Sequence, residues 1–424
     1  MTLEETFSKK NMIAYSDACT NLALDFADTR AKKAPIDTLV IPSRGAFPFF
    51  LGMTHALRKF REFDEGVKKT YRDMAIQPIL EPLMPRDAEI SSDIHSKGLR
   101  VLLIPFTADL NIPKFDSDAS NEEYTEKTRE YWARVTHAFF KEPGVRRRNP
   151  YFKVFTDIIL RELEGRQKTA EVYEGFPKIE RFAMIDTVIS GRASNDILGA
   201  FDNIQREQQD IGAAGWHDIP PHAFLIVDKD GEKLERHRGF SAYLHQRQNQ
   251  GTARLYPIPQ IVSEDQNSAL LGVSATVYPS LMKASKELRY NGREFFIGAG
   301  SWHINPEARQ FRHFQQFMEL VYSGIDLAAA EFLDNKSVAV RLDGEFEEKR
   351  RDFVRESERS GLTDLSEYET ANDDRLCLLN KDAKPIYETH SHVIHVPLNS
   401  RVDSGLITKI CGYGYMTCHK KSSA

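Results

Sequence analysis

Hydrophobic positions along this chain alternate between short continuous runs and helically spaced sets. Phe182, Ala183, Met184 and Ile185 are too continuous for a half-exposed strand, so a strand buried on both faces is expected there. Asp186 sits where that strand is expected to end, and the small residues Ser190, Gly191, Ala193 and Ser194 follow it. Ile197, Leu198, Phe201 and Ile204 then recur at helical spacing, with Ser194 or Asn195 as the expected cap. An earlier unit has the same layout. Leu39, Val40 and Ile41 lead into the break Pro42-Ser43-Arg44-Gly45, and Phe49, Phe50, Met53, Leu57 and Phe60 then share one helical face. The run at 99–110 is a further buried strand candidate. Such alternation predicts an α/β fold with a mostly parallel sheet, in which the strands ending at Ile41 and Ile185 open their turns on one edge.

Other stretches organise the rest. Residues 112–150 look inserted, with Tyr124, Thr128, Tyr131, Trp132, Val135 and Phe139 on one helical stripe. Residues 223–235 read as a strand entering a hairpin at Asp230-Gly231. Segments 255–262, 269–278 and 293–304 read as further strands. Asn305 is expected to cap a long helix with Pro306 at its first position and Phe311, Phe314, Met318 and Val321 inward. Residues 346–361 read as a charged, exposed helix, and the stretch from Arg375 as β-rich, with a turn between two strands at 380–385. The expected division is a first domain over 1–230, with the insertion near 112–150, and an α+β region of unassigned role over 231–424 that either stands apart or packs onto and completes the first domain.

Composition narrows the partners. A chain of 424 residues with 41% hydrophobic and 28% charged positions is that of an ordinary globular protein. Its formal net charge of −5 argues against a generally basic nucleic-acid binder. No apolar run approaches the roughly 18 residues of a membrane span. The first residues lack a signal-peptide layout, and the four cysteines are too unevenly spread for a disulfide framework, so a cytoplasmic protein is expected.

The two turns carry a resemblance. The stretch 182–194 is similar to the phosphoribosyl pyrophosphate (PRPP) motif of type I phosphoribosyltransferases, in which an apolar run and a pair of acids precede a small-residue phosphate loop. Residues 42–47 resemble the earlier pyrophosphate loop of that family, particularly the Ser-Arg-Gly of adenine phosphoribosyltransferases. The resemblance implies a phosphoribosyltransferase-type sheet and an enzyme that binds PRPP with Mg²⁺ and a nucleobase or nucleotide, releasing pyrophosphate. Ser190, Gly191, Arg192, Ala193 and Ser194 would hold the 5′-phosphate, and Asp186 and Thr187 the ribose. Ser43, Arg44 and Gly45 would hold the pyrophosphate, with Asp186 and Arg44 as the catalytic candidates; no metal ligand is assigned. Thr187 replaces the second acid of the family motif, and Arg192 stands where the loop usually has glycine. A strand-end carboxylate is not a packing group, so Asp186→Ala is expected to spare the fold.

Beside a structural alternative, in which Asp186 merely caps a helix next to a buried α/β strand, two rival functional readings stay open. One is a PRPP or nucleotide-binding regulator that keeps the phosphate cradle without the chemistry, which the loss of the second acid favours. The other is a bacterial conflict-system effector, an analogy at the level of the fold. A homo-oligomer or a protein partner through the C-terminal region is the remaining partner expectation. Arg146, Arg147 and Arg148 read either as a solvated patch or as a basic loop closing over the site. His390, His392 and His395 cannot all converge from one regular strand, and Cys411 and Cys418 are too far apart for a zinc knuckle.

Overall fold

The computed structural model of the protein describes residues 2–32, 36, 38–72, 74–75, 99–102, 126, 129, 133, 182–210, 221–229, 234, 236, 238–264, 270–282, 288–290, 293–296, 300–304, 310–359, 377–379, 385–387 and 417–419. In chain order the helices are α1 (Leu3–Thr6), α2 (Lys9–Lys32), α3 (Ala46–Phe60), α4 (Glu65–Arg72), α5 (Arg192–Asp210), α6 (Arg238–Asn249), α7 (Val273–Thr276), α8 (Phe311–Phe332) and α9 (Lys336–Arg359). The strands that matter most are β1 (Thr38–Val40), β2 (Met74–Ala75), β3 (Leu99–Leu102), β4 (Phe182–Val188), β5 (His222–Asp228) and β6 (Ala253–Ile258).

These strands form a six-stranded sheet in the order β2-β3-β1-β4-β5-β6. Every pairing within it is parallel. Register places Val40 beside Met184 and Asp186 beside Leu225. Parallel neighbours require crossovers, and the intervening helices cover both faces. Side-chain alternation along β4 sorts those faces. Ala183 and Ile185 join one buried cluster with Phe224, Ile226, Tyr256 and Ile258 and with residues of α2, α3 and α8. Phe182, Met184 and Val188 are equally buried but lie on the other face, where the Phe182 ring meets Phe201 of α5 at 4.8 Å. All seven residues of β4 are buried, as its continuous apolar run requires.

The first face holds the larger core. Tyr15 of α2 stacks on Phe49 of α3 with centroids 4.0 Å apart, and Phe317 of α8 approaches it edge-on at 5.6 Å. Phe26 reaches the sheet at Phe224, 5.6 Å away. Each fully buried aromatic of this kind contributes roughly 2–3 kcal/mol. On the second face, Arg247 of α6 donates to both oxygens of Asp202 of α5 at 2.9 Å and to the Pro221 carbonyl at 2.8 Å, fixing one helix to the other.

Several expectations change here. β5 is a central strand paired in parallel with both β4 and β6, not the first arm of a hairpin, because the next described helix, α6, returns the chain to the sheet edge. Asp230 and Gly231 themselves lie outside the described residues. The stretch 269–278 begins as helix α7 before β7 (Val277–Met282). The long helix α8 begins at Phe311 with Gln310 as its cap residue and no side-chain capping bond, while Asn305 and Pro306 lie outside the described residues. Helix α9 is less exposed than its charge implies, since Phe346, Phe353 and Val354 are buried against the core. β6 and α8, both beyond residue 230, share the sheet and the core with the first part of the chain. β8 (Leu288–Tyr290) and β9 (Arg293–Phe296) form a three-stranded sheet with β13 (Thr417–His419). β7 and β10 (Gly300–Ile304) join β11 (Cys377–Leu379) and β12 (Pro385–Tyr387) in a four-stranded one. Of the 112–150 segment only residues 126, 129 and 133 are described, and Arg146–Arg148 and the 390–395 histidines lie outside.

A titratable joint links α3 to α8. Arg58 has only donors, so its 3.1 Å contact makes His55 Nδ1 an acceptor, and Nε2–H then donates to Asp326 Oδ1 at 2.7 Å. Lys59 Nζ lies 3.0 Å from the same oxygen, and the Tyr322 ring stacks on the imidazole at 4.4 Å. Burial, outweighing the Asp326 carboxylate, lowers the His55 pKa below its ordinary 6.5. Burial alone would raise Asp326, but His55 and Lys59 bring it below the usual carboxylate range. A histidine with a depressed folded pKa contributes full stability above its unfolded pKa and less as pH falls through and below it. Denaturant unfolding should therefore show stability dropping between about pH 7.5 and about pH 5, and His55→Gln should flatten that slope. An unchanged slope in the variant would place the acid sensitivity elsewhere.

Candidate functional site at the β1–β4 crevice

Chain order reverses between β1 and β4. From β1 the chain passes through α3 and α4 to β2 at one sheet edge and returns inward to β3; from β4 it moves the other way through α5, β5, α6 and β6. Such a switch point leaves a crevice at the carboxyl ends of the two strands, where helices on opposite faces begin. Both turns open there. The loop 41–45 enters α3, with Ser43 Oγ accepting the Ala46 N–H at 3.3 Å. The turn 189–191 enters α5, with Ser190 and Ala193 half-buried and Ser194 buried. The first N–H groups of a helix have no intrahelical acceptor, so two positive helix ends flank the crevice.

A third segment crosses this edge. After β6, Ile261 and Val262 enter the core and the chain turns back toward β1. Tyr15, buried in α2, donates to Ser263 Oγ at 2.8 Å, and that hydroxyl donates to the Gly45 carbonyl at 3.4 Å. The turn closes with the Glu264 N–H on the Ile261 carbonyl at 3.1 Å. Glu264 then accepts a short hydrogen bond from Thr187 Oγ1. Its carboxyl lies so close over Gly45 that a Cβ there would clash with Oε1. Only glycine leaves room for it.

Asp186 is placed differently from the expectation. It lies inside β4, which runs on to Val188, and its exposure is 0%. Oδ1 accepts the Thr187 N–H at 2.9 Å and Oδ2 accepts Ser194 Oγ–H at 2.7 Å, with Ser43 a further donor. Burial nevertheless outweighs these donors and raises its pKa above the usual carboxylate value. Its carboxylate joins β4, the β1 loop and the start of α5. The strand continues past the acid because its donors make burial tolerable.

No family model matches this chain, and no curated protein or solved structure does.

The 189–194 turn also settles its backbone. Gly191 takes the left-handed conformation, φ 76°, and a Cβ there would meet Leu234 at 2.8 Å. Arg192 is already the first helical residue, so neither Ser194 nor Asn195 is the cap; the Asn195 N–H bonds the Gly191 carbonyl at 2.9 Å. Arg192 Nε lies 3.9 Å from Asp196 Oδ2, which Arg129 NH1 meets at 2.6 Å. Arg44 is half-buried in the β1 loop. The crevice thus gathers Ser43, Arg44, Gly45, Thr187, Ser190, Gly191 and Arg192 around two helix ends, while Asp186 and Ser194 form its scaffold. Sequence reasoning missed Glu264 and Arg129. An acid directly after a buried run, the pattern that drew attention to Asp186, recurs at Ile261-Val262-Ser263-Glu264; nothing in the local sequence marks Arg129.

Removing the Asp186 carboxylate strands the buried Thr187 N–H and Ser194 hydroxyl, so Asp186→Ala should cost about 2–3 kcal/mol. Thermal and denaturant unfolding check this, and a variant as stable as wild type would return Asp186 to the ligand face.

Proposed function

We propose that the crevice binds a ribosyl phosphate carrying a diphosphate, and that the protein is a phosphoribosyltransferase-like enzyme acting on a nucleobase or nucleotide. The observation that carries this reading is the switch point: two small-residue turns, each leading into a helix, lie side by side on neighbouring parallel strands. In this assignment Ser190, Gly191, Arg192 and Ala193, with the α5 terminus, cradle the 5′-phosphate. Arg44 and the amides at the start of α3 hold the pyrophosphate. Displacement at ribose C1′ through an oxocarbenium-like state needs positioning and charge stabilisation, which fixed dipoles and arginines supply without a protein nucleophile. In this reading Mg²⁺ accompanies the substrate's diphosphate and offsets its charge as the pyrophosphate departs. No helix among the described residues is long and apolar enough to cross a membrane.

A regulator that binds PRPP or a nucleotide without turnover is the second reading, favoured by the withdrawal of Asp186 into the sheet. Pyrophosphate release from PRPP, assayed across nucleobases, separates the two: release with one base is expected, and tight PRPP binding without release with any base would establish the regulator. Arg44→Ala should weaken PRPP about tenfold or more while changing ribose 5-phosphate little, because charge-assisted bonds to the diphosphate are lost. Equal losses, measured by calorimetry, would remove Arg44 from the pyrophosphate.

A further inference from the structure

A ligand with a ribose ring at this crevice needs an acceptor for its hydroxyls, and Asp186 cannot reach it. Its oxygens are taken by the Thr187 N–H, Ser194 and Ser43, and it has no exposed surface. The chain brings another carboxylate to the same edge. Glu264 arrives from the segment after β6, is half-buried, and meets the Thr187 hydroxyl at the end of β4. An ionised carboxylate only accepts, and its two oxygens can take several donors at once. A vicinal diol supplies two donors at matching spacing.

We propose that Glu264 is the residue that reads the ribose hydroxyls of the ligand, selecting ribosyl over 2-deoxyribosyl phosphates. The inference rests on the ribosyl phosphate reading above and adds the residue that sets its sugar specificity. Three features make Glu264 a built part of the site. Its turn is anchored from below by Tyr15 through Ser263, whose hydroxyl also holds the Gly45 carbonyl. Its carboxyl fills the space over Gly45, between the β1 loop and β4. Thr187 donates to it and so orients the group, as an orienting partner should.

The test is calorimetry on the full chain with ribose 5-phosphate, 2-deoxyribose 5-phosphate and inorganic pyrophosphate. Wild type should bind ribose 5-phosphate about tenfold or more tighter than the deoxy sugar, since a hydrogen bond to a charged acceptor is lost with the hydroxyl. Glu264→Gln keeps the shape and the contact with Thr187 but not the charge; it should bind the two sugars nearly equally, without weakening pyrophosphate. Gly45→Ala pushes the same flexible side chain aside and should give the same loss of discrimination, which keeps the test valid if one variant folds poorly. Discrimination that persists in both variants overturns the assignment of Glu264. Wild type that binds both sugars equally well overturns it too, while leaving the phosphate reading standing. Wild type that binds neither sugar phosphate nor pyrophosphate overturns the ribosyl phosphate reading and Glu264 with it.

Discussion

Placing a carboxylate within a strand that is covered on both faces is tolerable only when donors surround it, and at Asp186 they come from three segments. Thr187 belongs to β4 itself, Ser194 to the first turn of α5 and Ser43 to the loop after β1. That convergence ties together the two turns that flank the crevice. Because β1 and β4 are neighbours where chain order reverses, these contacts lie at the floor of the site. The remaining features of the edge depend on this joint.

The two-residue period of a strand then separates structure from chemistry at adjacent positions. Asp186 points toward α5 and is consumed by packing. Thr187, one residue later, faces the opposite side and meets Glu264. Positive helix ends, arginines and hydroxyls gather on the crevice, while the acid that a linear motif would single out lies behind it. The proposed ribosyl phosphate would set its anionic groups at the helix ends and its hydroxyls toward Glu264.

The core on the first face explains how Glu264 is delivered. Ile261 and Val262 bury themselves with Tyr15, Phe49 and Phe317, so the chain after β6 must cross the sheet edge at one height. Tyr15 fixes that height through Ser263. A helix near the start of the chain thereby positions a side chain some 250 residues later, a separation the Tyr15–Ser263 bond spans at 248.

Local pattern was sufficient for β1, β4, α3 and α5, since continuous apolar runs and helical spacing report burial that each segment carries in its own side chains. It also located the small residues between them, because a tight turn needs glycine at a left-handed position, and Gly191 supplies it. Pairing partners were another matter: β5 read as half a hairpin because an isolated strand does not encode whether its neighbour is sequential or reached by a crossover. The same limit governed the acids. Whether Asp186 or Glu264 meets a ligand turns on which donors surround each, and those donors are remote in the chain, with Thr187 and Glu264 77 residues apart. Run lengths and spacing belong to the sequence; the burial of one carboxylate and the delivery of another were decided only when distant segments packed.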